Sequence, residues 1–194
     1  MHLRARRGLL VLTLAGLAGI AACEDPFTPQ AAGPNIDQSF ELWALTGTPV
    51  SYPSAVVVAS SFGPFALRLD ASGSFDLAFD IDTTGRLVVY PVSSIVAPVS
   101  GTREVQFLRG VGPYNTIVEA PRTGWTSDTV LVVNEGQTFL VKVTTLVCQY
   151  DIRQQVYAKF AVDSILVADR RIKLSARINP NCGFRSLLSG VPEF

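Results

Sequence analysis

The residues able to do chemistry are few and unevenly placed. The chain has one histidine, His2, and three cysteines, Cys23, Cys148 and Cys182. If residues 1–22 are removed as a leader, no imidazole remains. Ser-His-Asp and Cys-His nucleophilic catalysis both require one, as do histidine-containing zinc or iron sites. With Cys23 modified, two cysteines are left, too few for a four-cysteine metal site. Carboxylates are the other candidates, since a glycosidase needs two of them flanking a groove at a fixed separation. Asp70, Asp76, Asp80, Asp82, Glu104, Glu119, Asp128, Glu135, Asp151, Asp163 and Asp169 fall in predicted turns and on predicted wet faces. Nothing in their spacing selects a pair, so solvated surface is their expected role. The residues therefore predict a chain that is not an enzyme and holds no metal or cofactor.

Cys23 is the exception, because of what precedes it. Arg4, Arg6 and Arg7 make a positive start, residues 9–22 are apolar and uncharged, and the run ends in Ile20-Ala21-Ala22-Cys23. Positive residues stay on the cytoplasmic side of a membrane, and the apolar run is short for a spanning helix of about 20 residues. Small Ala21 and Ala22 leave the bond before Cys23 open to a peptidase, and the Cys23 thiol is a nucleophile that can carry lipid. This order resembles the lipobox of bacterial lipoproteins. The resemblance covers the leader alone. It implies a diacylglyceryl thioether on Cys23, cleavage before it, and an acyl chain on the new amino group. More than one acyl chain is what stable anchoring needs. An Ala-x-Ala-like site within residues 18–22 also permits an ordinary secretory signal cut elsewhere, and an uncleaved anchor helix is the third alternative. Glu24 stands where an Asp resembles an inner-membrane retention signal, which favours the outer membrane in a two-membrane envelope. Export delivers Cys148 and Cys182, thirty-four positions apart, to an oxidising compartment. They are expected to form one disulfide, the alternative being two buried thiols. With no C-x-x-C spacing, nothing marks them as a redox pair.

Other motifs are weaker. Asp80-x-Asp82-x-Thr84-Gly85 is similar to the start of a calcium loop, but its twelfth position is Pro91 where that pattern wants an acid. A plain hairpin is expected instead. Trp43, Trp125, Tyr90 and Tyr114 are the aromatics available to line a glycan or peptide groove. Trp43 reads as core or half-buried in its strand. Trp125, in a Gly/Thr/Ser loop, is the candidate ligand contact. Asp151, Arg153, Arg170 and Arg171 read as surface charges or ion pairs. No Walker loop, dinucleotide cradle or Gly-x-Ser-x-Gly elbow is present. The leader carries three of the 16 basic residues and none of the 16 acidic ones, so the remainder has a net charge of −3. Without a Lys/Arg run it offers no electrostatic footprint for nucleic acid or anionic lipid.

The elements that must carry these residues read as strands. After the leader (1–22), the lipidated cysteine and a Pro-rich tether (23–38) precede a single domain (39–194), a length that suits one hydrophobic core. Runs at 40–45, 55–59, 65–69, 75–81, 87–92, 105–107, 129–133, 139–147, 156–162 and 172–178 have strand character, several with period-two alternation. In 75–81, Phe75, Leu77, Phe79 and Ile81 predict the core face, and Asp76, Ala78 and Asp80 a wet face. A bulge is expected near Asp163-Ser164, continuing the strand to 168. Residues 95–99 and 114–119 are further short candidates, 123–128 reads as a loop, and no segment predicts a confident helix. The fold expected is all-β: an antiparallel β-sandwich of about nine or ten strands, with a partly open barrel as the alternative.

Together these readings predict an envelope lipoprotein held at a membrane by its N-terminal lipid, with a structural or protein-interaction role. A module binding carbohydrate or a small ligand through Trp125 is the alternative, and a carboxylate hydrolase the remote one. The expected partners are a membrane and an envelope protein or glycan, not nucleic acid.

Overall fold

The computed structural model describes residues 29–69, 75–96, 103–127, 129–148 and 154–192. The leader with Cys23, the expected turn at 70–73, Asp128, Asp151 and Arg153 lie outside them. The chain divides into two units, Met1–Gln30 and Ala31–Phe194; the second holds the whole described fold.

That fold is two antiparallel sheets packed together and not closed into a barrel. The strands are β1 (Ile36–Trp43), β2 (Ala55–Val57), β3 (Phe65–Leu67), β4 (Leu77–Ile81), β5 (Leu87–Pro91), β6 (Glu104–Arg109), β7 (Thr126–Ser127), β8 (Leu131–Val133), β9 (Thr138–Thr144), β10 (Gln155–Leu166) and β11 (Arg171–Asn179). One sheet runs β1-β11-β10-β9-β6-β7 and the other β3-β2-β4-β5-β8. Period-two alternation explains the sandwich, because each sheet turns one apolar set inward. Phe40, Leu42, Phe107, Phe139, Val141, Phe160 and Leu174 from the first sheet meet Leu77, Phe79, Ile81, Leu87, Val89 and Leu131 from the second in one core. Phe160 stacks between Phe139 and Phe40, with ring centroids 5.2 and 6.3 Å away. Full burial of each such side chain contributes about 1.5–3 kcal/mol.

The turns follow their residues. Asp82-Thr83-Thr84-Gly85 closes the β4–β5 hairpin, with Gly85 at φ +80°, a backbone state glycine adopts without a Cβ penalty. The bulge falls where expected, with the β10–β11 register shifting between Val162 and Ser164.

Several expectations need correction. Asp76, Ala78 and Asp80 are buried, not wet. The register places Leu67, Ala55, Ala78 and Tyr90 in one cross-strand row, so two alanines sit low between two large side chains. Residues 114–119 are not a strand. Tyr114–Thr116 forms a single 3-10 turn, closed because the Thr116 N–H and hydroxyl both donate to the Pro113 carbonyl. The 123–128 loop contains β7, which pairs with Gln106 and Phe107 and brings the strands among the described residues to eleven. β1 opens at Ile36, inside the segment read as tether. Upstream of it, the Ala32 and Gly33 N–H groups donate to Asn181 Oδ1 at 2.7 and 3.1 Å.

The first sheet also has a second cover. Its outer face carries Leu140 and Tyr157, and Ile117, Ala120 and Leu187 bury against them. Residues 118–120 pair with 185–187: Ala120 N–H donates to Arg185 O at 2.8 Å, and Leu187 N–H to Val118 O at 2.7 Å. Residues 117–120 and the C-terminal tail thus cover that patch of the face together.

Candidate functional site

Three regions hold the side chains with chemical potential: the outer face of the six-stranded sheet, the end where residues 32–35 meet residues 181–190, and the ion pairs at the sandwich margins.

On the outer face, Lys159 sits in the centre of β10, 2% exposed. Its Nζ donates to the Tyr114 and Ile117 carbonyls at 3.0 and 2.8 Å and lies 4.5 Å from the Tyr114 ring centroid. Burial pushes its pKa down, the nearby Arg177 adds to that, and Asp37 opposes it. A depressed lysine in a cleft is a candidate nucleophile. This one is covered by the segment whose carbonyls it holds, so its arrangement suits a clip. Burial likewise raises Tyr114 to about 12. Sequence alternation placed Lys159 on a solvent face. The signal that marks the face as covered was the apolar pair Leu140 and Tyr157 at the same parity.

Trp125 belongs to this layer. Its ring packs 5.9 Å from Tyr157, Lys142 Nζ lies 5.2 Å from its centroid, and its Nε1–H donates to Pro121 O at 2.9 Å. It is half-buried and serves as packing for the second cluster. The other aromatics are dispersed: Trp43 packs tilted against Tyr52, ring centroids 4.9 Å apart, Tyr90 flanks the alanine row on the opposite sheet, and Tyr114 covers Lys159. They form no common groove.

At that end, three asparagines tie residues 32–35 to the segment after β11. Asn179 Nδ2 donates to Phe184 O and Ser186 O at 3.0 and 2.9 Å. Its Oδ1 accepts from the Asn181 N–H and side chain, both at 2.9 Å. Asn181 in turn holds Ala32 and Gly33, and Asn35 Nδ2 reaches Ser186 O and Leu188 O at 2.9 and 2.7 Å. Cys182 follows and is bonded to Cys148, with Cα atoms 5.7 Å apart. The expected disulfide is thus present, and it fastens the tail to the end of β9. Beside it a shallow cleft of about 590 Å³ is lined by Val118, Glu119, Arg122, Arg185, Leu188 and Val191, among others. The Glu119–Arg185 ion pair forms part of its lining. A second cleft of about 460 Å³ lies between residues 109–113 and 132–138. Neither includes Trp125.

Every carboxylate among the described residues has a polar partner. Asp76, with no exposed surface, accepts from the Val58 and Ala59 N–H groups at 2.6 and 3.1 Å and from Arg103 at 3.1 Å. Burial pushes its pKa up, and Arg103 and the two amides pull it back. Asp80 bonds Thr46 and Arg170, the latter at 2.7 Å. Asp82 accepts from Thr84 and Arg86 within its own turn, which holds its carboxyl well below the usual range. The Asp80/Asp82/Thr84 motif is therefore a hairpin whose oxygens are directed into turn bonds and onto Arg170. Asp37 pairs with Arg177 at 2.6 Å and is lowered by it. Glu41 pairs with Arg171 at 2.8 Å. No group of three His, Cys, Asp or Glu side chains gathers among the described residues. The arrangement is one of clips and clamps, which fix loops to sheets. Comparison with family models, curated proteins and solved structures finds no match for this chain.

Proposed function

We propose that this chain is a bacterial envelope lipoprotein, anchored through Cys23, whose β-sandwich does structural or protein-interaction work and is not an enzyme. The observation that carries the reading is Ile20-Ala21-Ala22-Cys23 behind a short apolar run and three arginines. The mechanism is positional. Lipid confines the domain, the Pro-rich segment sets its reach, and the sandwich presents loops and edges. Glu24 favours the outer membrane in a two-membrane envelope. The partitioning of polar groups supports the non-catalytic part, because every described carboxylate is engaged in a turn, an ion pair or a backbone bond. A partner strand could add to β1, the longest edge strand, by main-chain bonding.

Metabolic labelling with a fatty acid tests the anchor. The wild-type chain takes up label and fractionates with membranes, whereas Cys23→Ser abolishes labelling and leaves the precursor uncut. Label retained on Cys23→Ser overturns the anchor. Crosslinking in intact cells tests the role, and recovery of lipid and wall material alone overturns the protein-partner reading.

A further inference from the structure

We infer that the end of the sandwich from which the N-terminal segment leaves is a lipid-contacting surface, with Phe62 as its inserting side chain. The inference rests on the proposed anchor at Cys23 and adds to it a second membrane contact, made by the folded domain itself.

Contacts locate three features at this end. The Asn35 N–H donates to Gly190 O at 2.8 Å, which sets the tail beside the departing chain. A Cβ on Gly63 would lie 3.8 Å from Ile36 Cδ1, which sets the β2–β3 hairpin tip there too. Asn181, holding Ala32 and Gly33, precedes the disulfide to Cys148. Around this exit, Phe62 is 96% exposed, Val191 63% and Val147 44%. No other large apolar side chain of the described residues is as open as Phe62.

The hairpin tip has the properties that entry into an interface demands. Residues 58–65, Val-Ala-Ser-Ser-Phe-Gly-Pro-Phe, carry no charge. Backbone groups that leave water unpaired are costly in lipid, and this tip pairs several of its own. Ser60 Oγ accepts the Phe62 N–H at 3.1 Å and donates to Gly63 O at 2.6 Å, while the Gly63 N–H donates to Ser60 O at 3.2 Å. Pro64 has no N–H to satisfy. A phenyl ring is thereby presented on a turn already closed.

Chain length selects lipid as the occupant. Eight residues separate Cys23 from Ala32, and even fully extended they reach about 30 Å. A lipidated Cys23 therefore keeps this end within about that distance of the bilayer, a limit that the far end, a strand's length away, does not share.

The test uses the acylated full chain in phosphatidylethanolamine/phosphatidylglycerol vesicles. A polarity-sensitive fluorophore is placed at Ser61→Cys, beside an intact Phe62, or at Thr83→Cys in the β4–β5 turn at the opposite end. Lipids bearing a nitroxide on the acyl chain serve as quenchers, and flotation scores anchoring independently. The expected result is flotation of both proteins, with a blue-shifted, quenched signal at 61 only, and loss of that quenching when Phe62→Ser is added. Flotation with both probes unquenched overturns the lipid contact and leaves the anchor standing. A blue shift at 61 in native membranes without quenching by lipid assigns the surface to a protein and also overturns it. Failure to float overturns the anchor, and this inference with it.

Discussion

Lys159 shows how a single side chain can organise a surface that alternation assigns to water. Its ammonium donates to the carbonyls of Tyr114 and Ile117, so it holds the crossing segment down over Leu140 and Tyr157. Lys159→Met keeps the aliphatic stem but leaves two carbonyls without their donor, an expected loss of about 2 kcal/mol in a denaturant titration. The pH dependence carries a sign. Burial lowers the pKa of this lysine in the folded state, so below the unfolded value of about 10.4 the unfolded chain binds more proton. Its contribution to stability rises as pH climbs from the folded value to the unfolded one and is lost as pH falls through the folded value. Tyr114, raised to about 12, works in the opposite direction, but it is present in both proteins. The difference between wild type and Lys159→Met isolates the lysine, and it should change across the alkaline range. Asp76 makes the complementary case. It sits without exposed surface between two amides and Arg103. Asp76→Ala orphans all three donors and should cost about 3–5 kcal/mol, the range for breaking a buried pair. Asp76→Asn, which keeps an acceptor for the amides, should cost less in the same titration.

Among the elements, the β10–β11 turn has the most to say about how the two sheets are joined. Arg170 is the one described non-glycine residue at positive φ, +53°. Its guanidinium reaches Thr46 O, Thr46 Oγ1 and Asp80 at 2.9, 2.8 and 2.7 Å, which links a turn of one sheet to a strand of the other. Arg170→Ala loses those bonds and retains the backbone strain, whereas Arg170→Gly loses the bonds and sheds the strain. The glycine variant should therefore be more stable than the alanine variant by about 1 kcal/mol, with both below wild type in thermal melts. The strands themselves were legible in the sequence wherever period-two alternation was long. β9, β10 with its bulge, and β11 were readable because a buried face repeats every second residue. What alternation cannot reveal is a cover supplied from far along the chain. The outer-face burial of Lys159 depends on residues 114–117 and 187, and Asp76 and Asp80 are enclosed by Arg103, Thr46 and Arg170. For the same reason Trp125 looked like a loop aromatic: its partners Tyr157 and Lys142 lie on strands that only pairing brings near. The disulfide was legible from the expected export and the two cysteines left once Cys23 is set aside. The asparagine clamp was not, because asparagines in a turn read simply as turn formers.

In the molecule as a whole, residues 32–35 and the segment after β11 are fixed to one another at a single end of the sandwich. The C-terminal tail leaves β11 at Asn179, is fastened by Cys148–Cys182, and covers the outer face. It returns to receive Asn35, while Asn181 grips Ala32 and Gly33. This closure fixes the domain-side end of the segment that leads to the proposed anchor. If residues 32–35 were loose, the proposed anchor would hold the domain on a longer leash and would not orient one end towards the bilayer. Stability in proteins is distributed in cooperative units, and segments held by side-chain bonds can open without the core. Asn181→Ala removes the acceptor for two amides and the donor to Gly33 O, and leaves the sheets and the disulfide intact. The expected outcome by hydrogen exchange is loss of protection at Ala32 and Gly33, with a global penalty of about 1–2 kcal/mol and protection in β10 and β11 preserved relative to that lower limit. Equal loss of protection at the strap and in the central strands would mean that the strap and the sandwich open as one unit. The fixing of Ala32 and Gly33 would then be a property of the whole fold and not of this asparagine.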